Sequence, residues 1–230
     1  MKLKNVFWAL PAFALVVSCN NAPEESVEAE EAKEVATPTE EETSANYAVV
    51  TADDEINWEG YETFSGDNHY GTIQVSEGQF TVEGDQLVGG TFTIDMSTIH
   101  SEDLAGNDDA YGKLVGHLKS PDFFAVDSFP TAKFEITGVE VAPESDTTGA
   151  THMVSGNLTL RGITKNITIP AMVEMKDDMI MFDTPEFVID RSQWNVRFRS
   201  TSFAEFANTA KDKLIDNNIK LEVDLKAKKA

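Results

Sequence analysis

The feature that most constrains this chain is a period of two in its apolar residues. From Ile56 onward, large apolar side chains alternate with polar ones in short runs: Ile56 with Trp58, Ile73 with Val75, Phe80 with Val82, and Phe92 with Ile94 and Met96. The pattern returns in Phe134 and Ile136, in Val154, Leu158 and Leu160, in Ile167 and Ile169, and from Ile219 through Leu221 and Val223 to Leu225. Successive side chains of a strand point to opposite faces, so these runs predict half-buried antiparallel strands. Glycine-bearing stretches at Ser76-Glu77-Gly78 and Glu83-Gly84-Asp85 predict turns that join the first strands into a meander. The fold class is all-β. Roughly eight strands with one buried face favour a closed or nearly closed antiparallel barrel, since closure removes exposed edges; a two-sheet sandwich is the alternative.

Two interruptions carry a helical period. Asp108-Asp109 can cap a turn that places Ala110, Leu114, Val115 and Leu118 on one face, and Phe203, Ala207, Ala210 and Leu214 recur at helical spacing before the last strand. One or two short helices are therefore expected to cover an end of the barrel.

The N-terminus has a different character. Lys2 and Lys4 precede an apolar run from Val6 to Val17, which is the pattern of a signal peptide spanning residues 1–18. That run is about twelve residues, short of the ~20 a spanning helix needs. Its end, Val16-Val17-Ser18-Cys19, resembles the bacterial lipobox, which implies that Cys19 is lipidated and anchors the mature chain in a membrane. Cys19 is the single cysteine of the sequence, so no internal disulfide can form. In the sorting rule that accompanies the lipobox, Asn20 points to the outer membrane of the cell envelope. From Asn20 to Asn46 the chain holds nine glutamates, one lysine and no aromatic residue. Such a segment is expected to stay disordered as an acidic tether, so residues 19–46 are read as linker and 47–230 as one domain.

The formal net charge of −22 excludes nucleic acid as a natural partner. It also repels anionic lipid, so membrane contact is expected through the acyl anchor and not through the protein surface. His69, His100, His117 and His152 show no metal-ligand spacing, and no metal or other cofactor is expected. His117, one turn after Lys113, reads as a solvated or capping group. Asp95, Asp103, Asp122, Asp127 and Asp190 offer carboxylates, but no spacing marks a catalytic pair. Asn157-Leu158-Thr159 and Asn166-Ile167-Thr168 read as strand segments with polar outward positions. In Ile189-Asp190-Arg191-Ser192-Gln193-Trp194 a structural contact of Arg191 with Asp190 or a cation–π pair with Trp194 is favoured over contact with a polar ligand head.

Six segments in order carry a resemblance that covers most of residues 55–228. They are H-Y-G-T-I-Q-V from His69, G-G-T-F-T-I-D-M from Gly89, L-K-S-P-D-F-F-A-V from Leu118, F-P-T-A-K-F-E-I from Phe129, V-S-G-N-L-T-L-R-G-I-T-K from Val154 and F-V-I-D-R-S-Q-W from Phe187. In these the chain resembles the YceI-like lipid- and polyisoprenoid-binding proteins. The resemblance implies an elongated lipocalin-like barrel that binds an isoprenoid or other long-chain lipid and is not an enzyme. It implies further that inward positions Phe80, Phe92, Ile94, Phe134, Ile136, Leu158, Leu160, Phe187 and Ile189 line a ligand cavity. Each is equally accounted for as packed core. Two other functions stay open: a structural or stress-related envelope protein with a filled barrel, or an enzyme acting on a lipid.

Overall fold

The computed structural model describes residues 26–35, 44–51 and 55–230. Cys19 and the signal segment lie outside the described residues. The strands are β1 (Glu30–Glu31), β2 (Ser44–Val49), β3 (Glu55–Glu62), β4 (Asn68–Glu83), β5 (Gln86–Asp95), β6 (His100–Ser101), β7 (Thr131–Val141), β8 (His152–Leu160), β9 (Ile163–Lys176), β10 (Met179–Asp183), β11 (Phe187–Asp190) and β12 (Ile215–Lys229), with helix α1 (Asp108–Lys119) between β6 and β7. Antiparallel pairing runs β2-β4-β5-β7-β8-β9-β10-β12 and returns from β12 to β2, which closes a ring of eight strands. The barrel, and not the sandwich, is the architecture. Among the described residues no helix is long and apolar enough to cross a membrane.

Two ring positions are each filled by two strands laid end to end. β2 pairs β4 over Gln79–Glu83, and β3 continues along β4 from Gln74 to Asn68. β10 and β11 likewise follow one another along β12. The stretch Ser76-Glu77-Gly78 is not a turn but a bulge within the sixteen residues of β4, where the register with β5 shifts. A bulge adds a residue and bends the strand without ending it. Gly78 is needed there, because a Cβ would stand 2.7 Å from the Phe92 ring and 2.8 Å from Val49. The turn at Gly84 forms as expected, with φ +60°.

Helix α1 forms as its sequence predicts, although Asn107 is the residue whose side chain caps it, accepting from Ala110 N at 3.2 Å. Val115 and Leu118 are its buried residues, and Leu114 packs on the core. The second helix does not form. Residues 204–206 and 211–213 make isolated 3₁₀ turns without side-chain caps. Asn208 and Thr209 interrupt the segment with poor helix formers, and a stretch this short is marginal without capping.

The acidic segment is the larger correction. Residues 26–35 do not stand free but cross the seam left where β10 stops pairing with β9. Val27 N donates to Val188 O of β11 at 2.8 Å, and Glu30–Glu31 pair with Asn166 and Lys165 of β9. Val27 and Ala29 pack against the core. Lys33 exchanges two hydrogen bonds with Asn157, its N–H donating to Oδ1 at 3.0 Å and its carbonyl accepting from Nδ2 at 2.6 Å. A β-edge with unmet N–H and C=O groups outweighs the entropy of ordering a few residues, provided those residues also bury apolar side chains. The turn chemistry places α1, residues 120–130 and residues 191–214 at one end of the barrel, the capped end; the turns at 84–85 and 177–178 lie at the other.

Candidate functional site

The inward faces of the strands enclose two adjoining cavities. One, of about 150 Å³, lies in the capped half; the other, of about 90 Å³, lies toward the middle of the barrel. Ile56, Ile94, Leu158 and Leu221 border both. Of the residues expected to line a cavity, Ile94, Leu158, Leu160 and Ile189 face the first, and Phe92, Ile94, Phe134, Leu158 and Phe187 face the second. Phe80 and Ile136 border neither. Phe80 is fully buried against Phe92 and Phe182, with ring centroids 4.8 and 5.3 Å away, and Ile136 is buried among the same strands. These two are core.

The residues expected from the sequence leave out most of the wall. Ile56 and Trp58 of β3, with Ile219 and Leu221 of β12, complete the first cavity, and Leu118, Phe123 and Phe124 close its capped end. The alternation of Ile56 with Trp58 and of Ile219 with Leu221 was the signal that these side chains share the inner face. Trp58 is held by its indole N–H, which donates to Thr72 O at 3.2 Å.

Arg191 and Asp216 stand behind the capped end of this wall, whose surface is apolar. Arg191 is fully buried, and its guanidinium donates to four backbone carbonyls: Nε to Asp216, Nη1 to Val196, and Nη2 to Phe198 and Ile215, at 2.7–3.1 Å. It also stands 5.2 Å from the Phe123 ring centroid. The local contacts expected from the sequence are therefore replaced by distant ones: Asp190 accepts from Ser192 N, and the Trp194 indole donates to Leu158 O at 3.0 Å. Burial lowers the Arg191 pKa to about 10, against the opposing pull of Asp190 and Asp216, so the group stays charged at neutral pH. A buried guanidinium is tolerated because charge-assisted hydrogen bonds replace its water. Here they also tie residues 196–198 to 215–216.

The other candidates resolve as structural groups. Asp95 and Asp190 each accept from the backbone N–H two residues on, capping 3₁₀ turns. Asp103 meets His69 at 2.7 Å and accepts from Ser101 and from Tyr70 N; burial would raise its pKa, but these hydrogen bonds hold it below the ordinary value. Asp122 and Asp127 are exposed. His117 is neither solvated nor a cap: its ring is half-buried edge-on to Phe198 and Phe123, its Nε2 has no partner among the described residues, and burial lowers its pKa. Asn157 and Asn166 do point outward, yet they are buried beneath residues 30–33. No cluster suited to a metal ion occurs among the described residues.

A separate polar cleft of about 280 Å³ lies outside β3, between Asn57, Glu59, Tyr70, Glu102, Glu186 and Glu222. Lys220 sits in it, bound to Glu186 at 3.1 Å and to Glu59 at 3.4 Å. Burial would lower its pKa, but the Glu186 and Tyr61 contacts more than reverse that. The cleft is larger than either cavity, but its cation is already neutralised by protein carboxylates, and we place the site in the apolar interior.

Two solved structures share this fold. BcnA of Burkholderia cenocepacia aligns with a TM-score of 0.53 at 18% identity, covering 78% of this chain and 99% of its own. A polyisoprenoid binding domain from Saccharophagus degradans aligns with a TM-score of 0.54 at 12% identity, covering 80% and 98%. Among curated sequences, a UPF0312 protein of Azotobacter vinelandii is 31% identical over 102 residues, covering 44% of this chain and 47% of the relative. A second, from Photorhabdus laumondii, is 32% identical over 110 residues, covering 47% and 51%. These matches thus span about half the length of each relative. The YceI-like domain matches residues 47–227, nearly the whole closed barrel, and the chain belongs to that family.

Proposed function

We propose that this chain is a binding protein whose cargo is a long-chain amphiphile of isoprenoid type, held along the barrel axis with its polar end toward Arg191 and Asp216. The observation that carries this reading is the wholly apolar cavity bounded by Ile94, Leu158, Leu160 and Ile189, with Arg191 and Asp216 standing behind its capped end. Its volume corresponds to about five waters at about 30 Å³ each, and most of these would lack the two to four polar partners a buried water needs. Hydrocarbon gains about 0.8 kcal/mol per methylene on leaving water. The S. degradans domain, described as polyisoprenoid binding, has the same fold and supports an isoprenoid as cargo. Phe92, Phe134 and Phe187 are the proposed contacts toward the middle of the barrel. Because bilayer tails are as apolar as this wall, exchange between membrane and barrel is close to neutral, and small contacts at the capped end can decide loading.

Cys19 is proposed as the lipid anchor, with Asn20 directing the chain to the outer membrane; the support is the sequence Val16-Val17-Ser18-Cys19-Asn20. Val27 is held on β11, so at most about 28 Å of chain separates it from Cys19. A barrel tethered that closely stays near the bilayer from which it would draw cargo.

The test is mass spectrometry of organic extracts from the chain purified out of its native host with Cys19→Ser, compared with a Leu158→Trp variant. A long-chain lipid at near-stoichiometric amount, reduced in the variant, is the expected result. Protein from the native host that carries no lipid at all would overturn the reading and favour a structural role.

A further inference from the structure

Cargo must reach the interior, and neither end of the barrel offers an easy way in. Leu118, Phe123 and Phe124 close the capped end, where Arg191 ties residues 196–198 to 215–216. Toward the far end Phe80, Phe92 and Phe182 pack ring against ring. The wall, however, has a break beside the cavities. β10 pairs β9 only over Met172–Lys176 and ends at Asp183. β11 then takes its place along β12, with no pairing between β11 and β9 among the described residues. The residues flanking this break are cavity residues: Ile167 and Ile169 of β9 and Phe187 of β11 border the second cavity, and Ile189 of β11 borders the first. β5 and β7 also part beyond Thr91 and Glu135, but there Phe80, Phe92 and Ile136 fill the interior.

Residues 26–31 fill the break. Val27 holds to Val188 on the β11 side, and Glu30–Glu31 pair with β9 on the other. Val27 and Ala29 pack on the core and alternate with exposed Glu28 and Glu30, so the segment completes the wall as a strand would. Its hold is slight. Pairing with β9 covers two residues, where β8 pairs β9 over nine. The ion pairs of Glu30 with Lys33 and of Glu31 with Lys165, both 2.6 Å, use carboxylates that stand in solvent, where such pairs stabilise little. Beneath the segment, Asn166 is buried with its Oδ1 unpartnered among the described residues, so the closed wall leaves an acceptor unmet. A segment with so few buried contacts opens locally at far less cost than the whole barrel. Lys33, bonded twice to Asn157, is its fixed end.

We propose that residues 26–31 are a lateral gate: the strap lifts from between β9 and β11, pivoting at Lys33, and a long apolar cargo enters or leaves sideways through the seam. The proposal rests on the binding function above and adds the route to it. A sideways path lets an extended chain leave along its whole length, so neither the cap nor the packed rings need come apart. Contacts at the capped end then set how firmly cargo is held, and the strap sets how fast it exchanges. The liftable end of the strap is also the end that leads to Cys19, the proposed anchor. With at most about 28 Å of chain between Cys19 and Val27, the seam lies on a part of the wall that the bilayer can reach.

The experiment uses the full chain with Cys19→Ser as parent, and a lock made by adding Glu31→Cys and Lys165→Cys, positions already paired between β1 and β9. Antiparallel partners stand about 4.5–5.5 Å apart between Cα atoms, within reach of a disulfide. Each form is loaded with all-trans-retinol, a fluorescent isoprenoid alcohol, and mixed with phosphatidylcholine vesicles. Energy transfer to retinol from the tryptophans, Trp58 of the cavity wall among them, reports its departure. The oxidised lock should release retinol slower than the parent by about tenfold or more, and reduction should restore the rate. Val27→Ser with Ala29→Ser, at positions that border neither cavity, should speed release several-fold and leave the amount bound at saturation unchanged. Should the disulfide fail to form, this loosened strap decides alone. Should lipid co-purify and retinol not bind, loss of that lipid to the vesicles gives the same comparison. Equal rates in parent, lock and loosened strap overturn the gate, keep the cargo and return the route to the capped end. Absence of both retinol and co-purified lipid from every form overturns the binding function itself, and the gate with it.

Discussion

The two halves of this barrel are made from the same alternating strands, yet the half far from the cap is packed solid around Phe80 and the capped half is hollow, with a smaller space between them. Far from the cap, Phe80 lies beneath Phe92 and Phe182, and the backbone around the rings approaches so closely that a Cβ at Gly90 would stand 2.9 Å from Gln79 O. Near the cap the wall is formed mainly by branched aliphatics such as Ile56, Ile94, Leu160, Ile189 and Leu221, which leave about 150 Å³ between them. Periodicity decides which residues point inward, and size across the axis decides whether they meet.

Removing a ring from the filled half should have the largest effect. Phe80→Ala takes a fully buried ring out of a well-packed site and is expected to cost about 3–5 kcal/mol, read as a lower denaturation midpoint in urea. Variant protein that remains folded should carry as much lipid as before. A loss of lipid alongside the loss of stability would show that the halves are not independent.

The reciprocal change is Leu158→Trp. This side chain is half-buried and borders both cavities. Overpacking a filled core costs about 1–3 kcal/mol; filling space that cargo would otherwise use should cost less than about 1 kcal/mol and cut the co-purified lipid. Destabilisation comparable to overpacking, with lipid unchanged, would mean that the hollow half is hollow only in outline.

Much of this could be read from the residues. Alternation gave the strands and the inward faces, and Asp108 to Leu118 announced α1 through its acidic start and apolar spacing, although its cap proved to be Asn107. What escaped was non-local. Residues 26–35 look like a solvated acidic run because Val27 and Ala29 are too few to register as a pattern; they order because β9 and β11 present an unfilled seam, a fact about strands more than a hundred residues away. Arg191 was given neighbours in sequence, whereas its partners are carbonyls of 196, 198, 215 and 216. Phe80 and Ile94 have identical signatures, and only the opposing wall distinguishes core from cavity. The four arginines are spread over 39 positions of sequence and gather at the capped end only in the fold.

The smallest expected effect asks whether the hollow half is as dry as the filled one, and His117 reports on it. Burial among Phe123 and Phe198 lowers its pKa, with Arg199 acting in the same direction and Asp122 opposing. Above about pH 6.5, the ordinary imidazole value, neither folded nor unfolded chain is protonated at this group and stability is unaffected by it. As pH falls below that value the unfolded chain takes up a proton that the folded chain refuses, so stability declines until pH passes the lowered folded value. His117→Phe keeps the edge-on ring contacts and removes the proton site together with the unpartnered Nε2. The midpoint of unfolding, followed from about pH 7 down to about pH 5, should fall less in the variant than in the unaltered chain, the remaining slope belonging to the carboxylates. If both profiles fall in parallel, water reaches His117 freely, the cap does not close the cavity, and the contrast between the two halves is one of packing alone.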